Sequence, residues 1–152
     1  IIVANSAIRA EGTSREYLPI EFPAVADHQV TCALEAAAKS LNLPCKVGVV
    51  QCKDSFYGQH EPEAQPISDD LLRRWSAWIR GGCLASEMES AALFVLGSCR
   101  SVRTGTVLLV CANKDREKLG YSDPSFHDTA PAIQTAIEAI RRLILSDREA
   151  NA

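Results

Sequence analysis

Two segments of the chain combine residue types that could bind a small polar ligand and act on it. The first, Cys52–Pro62, sets an aromatic residue, a primary amide and ionisable groups just after an apolar strand pattern. The second, Ser86–Ala92, sets two carboxylates and a thioether where a strand pattern passes into an apolar helix pattern. An aromatic ring and an amide suit a flat nucleobase, and carboxylates suit the hydroxyl groups of a sugar. Together the two segments look like the base half and the sugar half of a nucleoside site.

Both segments also have an ordinary structural explanation. Gly58, Pro62 and Pro66 are typical of a solvated turn, and composition alone favours that explanation for the first segment. In the second segment, Ser86 followed by Glu89 ahead of an apolar run is typical of a helix capping box, which spacing alone favours. A cap and a ligand role can coexist, because a carboxylate has several acceptor positions.

Strand patterns alternate with helix patterns along the chain. The predicted strands are Ile1–Ala7, Val47–Gln51, Cys83–Ala85 and Thr104–Ala112. The predicted helices begin at the capping residues Asp27 and Ser68, at Glu87, and near Thr129. The last helix has an apolar stripe of Ile133, Ala136, Ile137, Ile140, Leu143 and Ile144. Strands separated by helices predict an α/β fold with a largely parallel sheet, and both segments lie at carboxyl ends of strands, where such sheets bind ligands.

Composition limits the classes of protein to which the chain can belong. Its 152 residues suit one domain, and an apolar share of 47% suffices for a core. The net charge of -3, with no basic stripe, argues against a nucleic-acid partner. The longest apolar runs, such as Thr106–Ala112, are too short to span a bilayer, and no secretory pattern is present. We therefore expect a cytoplasmic protein without a membrane partner.

The cysteines form neither a metal-binding pattern nor a disulfide pattern. They are widely spaced, and no Cys-x-x-Cys pair occurs. Most lie inside apolar patterns, where a free thiol packs as a small hydrophobe. The six are Cys32, Cys45, Cys52, Cys83, Cys99 and Cys111. We expect reduced core thiols and no bound metal.

The two segments resemble those of the uridine phosphorylases in the nucleoside phosphorylase-I family, and the resemblance extends along nearly the whole chain. It rests on the Phe-Tyr-Gly-Gln element at positions 56–59 and on the Glu-Met-Glu element at positions 87–89. It implies a three-layer α/β fold in which helices flank a central, mostly parallel sheet, with residues 1–152 as the C-terminal portion of a single domain. The family's phosphate-binding segment lies upstream and a buried strand pattern begins at Ile1, so we expect a fold that is incomplete at its N-terminal side.

The resemblance implies phosphorolysis of uridine to uracil and ribose 1-phosphate, with inorganic phosphate as co-substrate and no organic cofactor. Gln59 would accept a hydrogen bond from the uracil ring N–H and donate one to a carbonyl, while Phe56 would stack on the ring or wall it. Many members carry an arginine two residues after this glutamine, where the chain has Glu61. We expect His60, or Lys53 at the strand end, to take the place of that arginine.

The resemblance also implies the roles of the sugar-side residues. Glu89 would be the catalytic residue, because its carboxylate would hold the ribose hydroxyls and favour the cationic sugar formed during the reaction. Met88 would pack against the sugar, and Glu87 would assist at the ribose.

A third wall of the base site is expected from Cys111 and Ala112, at the end of the last predicted strand. Purine-specific relatives place an aspartic acid near this position to protonate the base. The chain has Asn113 there, which favours a pyrimidine. Asp115 lies close enough in sequence to weaken that distinction.

The resemblance further implies a homo-oligomer, a hexamer of dimers, acting on uridine or uracil, phosphate and ribose 1-phosphate. Two other functions stay open. One is a purine nucleoside phosphorylase or a nucleosidase of the same superfamily, against which Gln59 and Asn113 count. The other is a non-catalytic, truncated oligomerising or ligand-binding module with half a nucleoside pocket. We expect the 152 residues alone to lack phosphorolysis and to associate through an open sheet edge.

Overall fold

Strands and helices alternate through residues 1–122 and 125–150, which are the residues that the computed structural model describes. The strands are β1 (Ile2–Ala10), β2 (Ala24–Val25), β3 (Lys46–Lys53), β4 (Ala85–Glu87) and β5 (Thr106–Leu108). The helices are α1 (His28–Ser40), α2 (Tyr57–His60), α3 (Ser68–Arg80), α4 (Ser90–Arg100), α5 (Lys114–Lys118) and α6 (Ala130–Ala150). Short 3₁₀ turns cover Thr13–Glu16 and Pro62–Ala64.

Strand β1 is the centre of a five-stranded mixed sheet. β3 pairs with β1 in parallel along the whole of β1, and β4 pairs with β3 in parallel. Two short antiparallel strands share the other edge of β1, with β2 against residues 6–7 and β5 against residues 2–4. The longest ladder is thus parallel, and the predicted α/β fold with a mostly parallel sheet is confirmed.

Helices cover both faces of the sheet and give the expected three layers. On one face, Phe94 of α4 shares a buried core with Val50 of β3. On the other face, Leu34 of α1 and Ala139 of α6 share a second core with Val3 of β1. Successive side chains of a strand point to opposite faces, so a single sheet supplies both cores.

Several predicted boundaries are wrong, because strand pairing rather than the apolar pattern decides where each strand ends. β1 continues beyond its predicted end along its parallel partner. β4 runs through Glu87, which lies opposite Cys52, so α4 begins at Ser90 rather than at Glu87. Of the predicted buried strand 104–112, only Thr106–Leu108 pairs with β1, and it is half-buried. Val110, beyond the pairing, is 45% exposed.

Of the side-chain caps predicted for α1 and α3, one is present. Asp27 Oδ1 accepts a hydrogen bond from the Val30 backbone N–H at 2.9 Å and caps α1, as predicted. The prediction for Ser68 is wrong, since Ile67 occupies the cap position of α3 and no side chain caps this end. The Ser68 backbone N–H already donates to the Gln65 carbonyl, so the preceding turn leads it directly into the helix.

Helix α6 packs against the rest of the domain mainly through small side chains, and of its predicted stripe only Ala136 and Leu143 are half-buried. Its buried residues are Thr135 and Ala139, and Ala139 meets the core formed by α1 and β1. The isoleucines of the predicted stripe, Ile133, Ile137, Ile140 and Ile144, are exposed. The distance between two packed helices depends on the size of the side chains between them. Small side chains therefore let α6 lie close to α1.

A buried arginine fixes the loop that follows β1. The Arg9 guanidinium is inside the protein and donates five hydrogen bonds to this loop. Nε donates to Ser14 Oγ at 2.9 Å, and Nη2 donates to the carbonyls of Ser14 and Leu18 at 3.0 and 2.7 Å. Nη1 donates to the carbonyls of Pro19 and Phe22. One side chain thus determines the course of the backbone from Ser14 to Phe22.

Replacing Arg9 by methionine should destabilise the protein and loosen this loop. Because buried loop carbonyls lose their donor, we expect the free energy of unfolding to fall by roughly 3 kcal/mol or more, measured by urea denaturation of the complete protein. Trypsin should also cut faster after Arg15, which lies inside the loop. The control, Arg100→Met, changes an exposed arginine at the end of α4. Equal stability and equal cleavage in the two variants would contradict this role for Arg9.

Candidate active site

The two segments singled out in the sequence meet at one edge of the sheet. β3 and β4 are adjacent and parallel, with Gln51 opposite Ser86 and Cys52 opposite Glu87. Their carboxyl ends therefore lie side by side, and the chain leaves both strands at the same edge. This edge is where an open α/β sheet offers a crevice for a ligand.

Three polar side chains tie the ends of β3 and β4 together. Gln51 and Lys53 point to the same face of the sheet, because they are two residues apart on one strand. Lys53 Nζ donates to Ser86 Oγ, and the Ser86 hydroxyl donates to Gln51 Oε1 at 2.5 Å. Burial lowers the pKa of Lys53, and the carboxylates of Glu87 and Glu89 partly oppose that effect. The sequence analysis missed Gln51, whose only signal is a polar residue at the end of an apolar strand pattern.

Glu87, and not the predicted capping box, caps the amino terminus of α4. Its Oε2 accepts hydrogen bonds from the backbone N–H groups of Glu89 and Ser90, both at 2.8 Å. Glu89 occupies the cap position but makes no side-chain bond to the helix. The prediction for Ser86 and Glu89 is wrong because Ser86 still belongs to β4, where its hydroxyl is engaged with the neighbouring strand.

The sugar-side turn presents one exposed carboxylate, that of Glu89. Met88 and Glu89 are exposed, and Glu89 Oε2 accepts a hydrogen bond from the Met88 backbone N–H at 3.3 Å. Glu87 Oε1 is buried and, among the described residues, has no hydrogen-bond partner. Beneath the turn, burial raises the pKa of the Cys52 thiol to about 12, and the nearby Glu87 carboxylate adds to this shift. The thiol therefore stays protonated at neutral pH, and the reactive groups of the turn are its carboxylates.

The base-side segment forms α2 and the turn before it. The rings of Phe56 and His60 stack with their centroids 4.0 Å apart and their planes 24° apart. Tyr57 meets Phe56 edge-on, with a centroid distance of 5.5 Å. The side-chain oxygen of Gln59 is buried and has no hydrogen-bond partner in the described part of the chain. Because buried polar atoms are almost always hydrogen-bonded, this oxygen is an acceptor whose partner the described residues do not supply.

The surroundings of His60 favour its neutral imidazole form. Burial lowers its pKa below the ordinary 6.5, the charges of Lys53 and Lys114 lower it further, and Glu61 opposes them. The lowered pKa makes the cationic form less populated at neutral pH than in a free imidazole. A neutral imidazole still offers one N–H donor and one acceptor.

The proposed third wall does not continue the edge formed by β3 and β4. β5 runs antiparallel to β1, so its carboxyl end points toward the start of β1, and Cys111 and Ala112 beyond it are exposed. Asn113 Oδ1 caps α5 by accepting a backbone hydrogen bond at 2.9 Å. Asp115 accepts a hydrogen bond from the Trp75 indole at 3.2 Å, which ties α5 to α3. The assignment of Cys111 and Ala112 to the base stays a prediction.

Neither a metal-binding cluster nor a membrane-spanning helix is present among the described residues. Within residues 1–122 and 125–150, no group of three His, Cys, Asp or Glu side chains is arranged to hold a metal ion. Over the same ranges, no helix has both the length and the apolar character needed to cross a bilayer. All six cysteines are free thiols. The prediction that they pack in the core is wrong for Cys32, Cys99 and Cys111, which the backbone turns toward solvent.

The three-layer fold and the paired segments at the ends of β3 and β4 define a phosphorylase-type α/β domain. The chain belongs to the phosphorylase superfamily, whose family model matches residues 1–146. It is 55% identical over 147 residues to the uridine phosphorylase of Treponema pallidum, covering 97% of this chain and 57% of that protein.

Two more distant relatives differ in the substrate that their names state. The chain is 35% identical over 151 residues to the uridine phosphorylase of Thermococcus kodakarensis, covering 98% of this chain and 53% of that protein. It is 32% identical over 113 residues to the guanosine phosphorylase of Halorubrum lacusprofundi, covering 74% of this chain and 42% of that protein. The chain thus spans little more than half the length of the uridine phosphorylases it matches.

The capping geometry predicts different stability costs for the two sugar-side acids. Glu87→Ala removes the acceptor of two backbone N–H groups and should lower the free energy of unfolding by about 1–2 kcal/mol. Glu89→Ala should lower it by less than about 0.5 kcal/mol, since this side chain is exposed and makes no bond to the helix. Urea unfolding of both variants measures the difference. A larger loss of unfolding free energy for Glu89→Ala than for Glu87→Ala would instead support the capping box formed by Ser86 and Glu89.

Proposed function

We propose that the complete protein containing this chain catalyses the phosphorolysis of uridine to uracil and ribose 1-phosphate. One observation carries the proposal. Two adjacent parallel strands end in a segment suited to a nucleobase and a segment suited to a sugar, so one nucleoside can reach both. The similarity to two uridine phosphorylases supports the choice of uridine.

The base-side residues are proposed to hold uracil and to meet the charge that develops on it. Uracil leaves with the electron pair of the bond between its N1 and ribose C1′, so hydrogen-bond donors to the ring lower the barrier. Gln59 accepts from the ring N–H through its buried oxygen and donates its amide N–H to a carbonyl. Phe56, stacked on His60, walls the ring. Neutral His60 donates to a carbonyl in place of the family arginine, with Lys53 as the nearest cation.

The sugar-side residues are proposed to hold the ribose and stabilise its positive charge. Glu89 is the catalytic residue, because its exposed carboxylate can bind the ribose hydroxyls and faces the cation that forms as the glycosidic bond breaks. Met88 packs against the sugar. Glu87 holds the turn by capping α4 and thereby assists at the ribose.

Phosphate completes the reaction without an organic cofactor. A phosphate oxygen forms the new bond to C1′, so atoms balance without any redox step. We assign the phosphate-binding groups to parts of the complete protein other than these 152 residues. We also propose that the complete protein is a cytoplasmic homo-oligomer, a hexamer of dimers. The exposed isoleucines of α6 support this, since large apolar patches mark surfaces that other protein covers.

A purine nucleoside is the second candidate substrate. The similarity to a guanosine phosphorylase favours it, and Asp115 is the acid nearest in sequence to the position that protonates a purine. Against it, Asp115 is engaged with the Trp75 indole, and Asn113, which caps α5, cannot protonate a base.

Base release by the purified complete protein tests the proposal. We expect uracil release from uridine only when phosphate is present, and turnover of guanosine that is roughly 100-fold slower. Release without phosphate would identify a nucleosidase, and preference for guanosine would identify a purine phosphorylase. Nucleoside binding without release would identify a binding module.

Removing the Gln59 amide should weaken transition-state binding of the base. Gln59→Ala deletes two hydrogen bonds and leaves ring groups unpaired, so kcat/KM for uridine should fall by about 30- to 1,000-fold, or about 2–4 kcal/mol. Gln65→Ala, which truncates a half-buried glutamine in the same loop, is the matched control and should change kcat/KM by less than about threefold. A loss below threefold in the Gln59 variant would contradict the assignment.

Neutralising Glu89 should separate catalysis from stability. Glu89→Gln keeps the size of the side chain, so the free energy of unfolding should fall by less than about 1 kcal/mol. Activity should fall by roughly 100-fold or more, because the charge facing the cationic sugar is gone. Glu63→Gln, at an exposed acid of the base-side loop, is the control. Parallel losses of stability and activity would mean that Glu89 has a structural role only.

A further inference from the structure

Lys53 is a buried cation between the base half and the sugar half of the site. It is 7% exposed, although lysine is rarely buried so deeply. It donates a hydrogen bond to Ser86, the residue directly before the sugar-side acids. Electrostatic coupling links its ammonium to Glu87 and Glu89 of the sugar half and to His60 of the base half. The ammonium therefore lies near the point where a bound base would be joined to its sugar.

The hydrogen bonds around Lys53 leave it able to bind a further acceptor. An ammonium has three N–H donors, and the bond to Ser86 Oγ uses one of them. The Ser86 hydroxyl is held in its orientation because it donates its own proton to Gln51. Among the described residues, Lys53 forms no direct ion pair with a carboxylate. The ammonium is thus oriented, but its charge is not cancelled by direct contact.

We propose that Lys53 is a catalytic residue that stabilises the departing base, by donating a hydrogen bond to the uracil carbonyl nearest the glycosidic bond as that bond breaks. The bond between C1′ and N1 breaks, and its electron pair stays on the uracil ring. A phosphate oxygen forms the new bond to C1′, and the uracil anion then takes a proton from water. This inference rests on the proposed function and assigns Lys53 a step in it, rather than only the place of a missing arginine.

Burial makes this position effective for catalysis. A charge held away from water acts on a nearby developing charge more strongly than an exposed one, and it needs no reorganisation during the reaction. Burial also lowers the pKa of Lys53, while the carboxylates of Glu87 and Glu89 oppose that effect. The two carboxylates therefore help to keep the ammonium charged.

A purely positioning role is the alternative, in which Lys53 only tethers β3 to β4 through Ser86. The chemistry of the leaving base separates the two roles. 5-Fluorouracil carries negative charge more easily than uracil, so its nucleoside needs less help from a cation. A residue that stabilises the leaving base should matter less for 5-fluorouridine, whereas a residue that positions the site should matter equally for both substrates.

Steady-state kinetics of the complete protein with uridine and 5-fluorouridine test the proposal. Lys53→Met should lower kcat/KM for uridine by roughly 100-fold and for 5-fluorouridine by less than about tenfold. Lys53→Gln, which keeps a donor to Ser86 but no charge, should show the same difference between substrates. Lys53→Arg should restore most of the activity toward uridine. Ser86→Ala breaks the tether but keeps the charge, and its smaller loss should be equal for the two substrates. Equal losses for both substrates in the two neutral variants would overturn the proposal.

Binding of 5-fluorouracil to the wild-type protein gives a readout that needs neither turnover nor a variant. Calorimetry across the ionisation of this base should show tighter binding of the anion than of the neutral form, and Lys53→Met should abolish the preference. Equal affinity of the wild-type protein for both forms would overturn the proposal. Absence of phosphate-dependent uracil release would instead reject the proposed function, while the binding preference would still report on Lys53.

Discussion

The parallel pairing of β3 with β4 is the constraint on which the rest of the site depends. β4 is only three residues long, so few backbone hydrogen bonds hold it in place. Its register decides which side chains face which layer. Glu87 points to the α4 side and caps that helix, whereas Ser86 points the other way and bonds Lys53. A shift of one residue would exchange these faces and remove both interactions. The side-chain bonds of Ser86 across the two strands therefore help to fix the register that the site requires.

The neighbouring strand end is held by a second group of buried polar side chains. Arg9 binds the loop that follows β1, and Ser14 in that loop also donates its hydroxyl and backbone N–H to the buried Glu11. The Gly12 backbone N–H donates to Asp54 Oδ2 at 2.9 Å, which links this loop to the one that follows β3. Because a buried polar group that loses its partner costs free energy, these contacts favour one loop conformation. The edge that carries the candidate site is thus fixed from the β1 side as well as from the β4 side.

The sequence predicted the fold class, the Asp27 cap and the meeting of the two segments, because each depends on local pattern or on a general property of parallel sheets. The errors arise where the structure depends on contacts between residues distant in sequence, which local pattern does not encode. The period of α6 shows that it has an apolar face, but its abundant apolar residues do not reveal that Ala139 rather than Ile137 packs inward. The direction of β5 depends on which edge of the sheet is available for pairing. The residues of β5 alone do not determine that edge.

The candidate site likewise combines features that the sequence predicts with features that only the folded structure reveals. Phe56, Gln59 and Glu89 were predicted as site residues because a resemblance links their residue types to a known chemistry, and their roles stay a prediction. The contact of Lys53 with Ser86 joins residues 33 positions apart, and only the register of two strands brings them together. The capping role of Glu87 depends on where β4 ends, which an apolar pattern that passes from strand to helix does not mark.

The central claim is that one nucleoside spans the segments that follow β3 and β4. A crystal structure of the complete protein with uridine bound tests it most directly. We expect the Gln59 amide to lie about 3 Å from the polar atoms of the uracil ring, and the Glu89 carboxylate to lie at a similar distance from the ribose hydroxyls of the same molecule. Uridine bound away from this edge, or in contact with only one of the two segments, would contradict the claim.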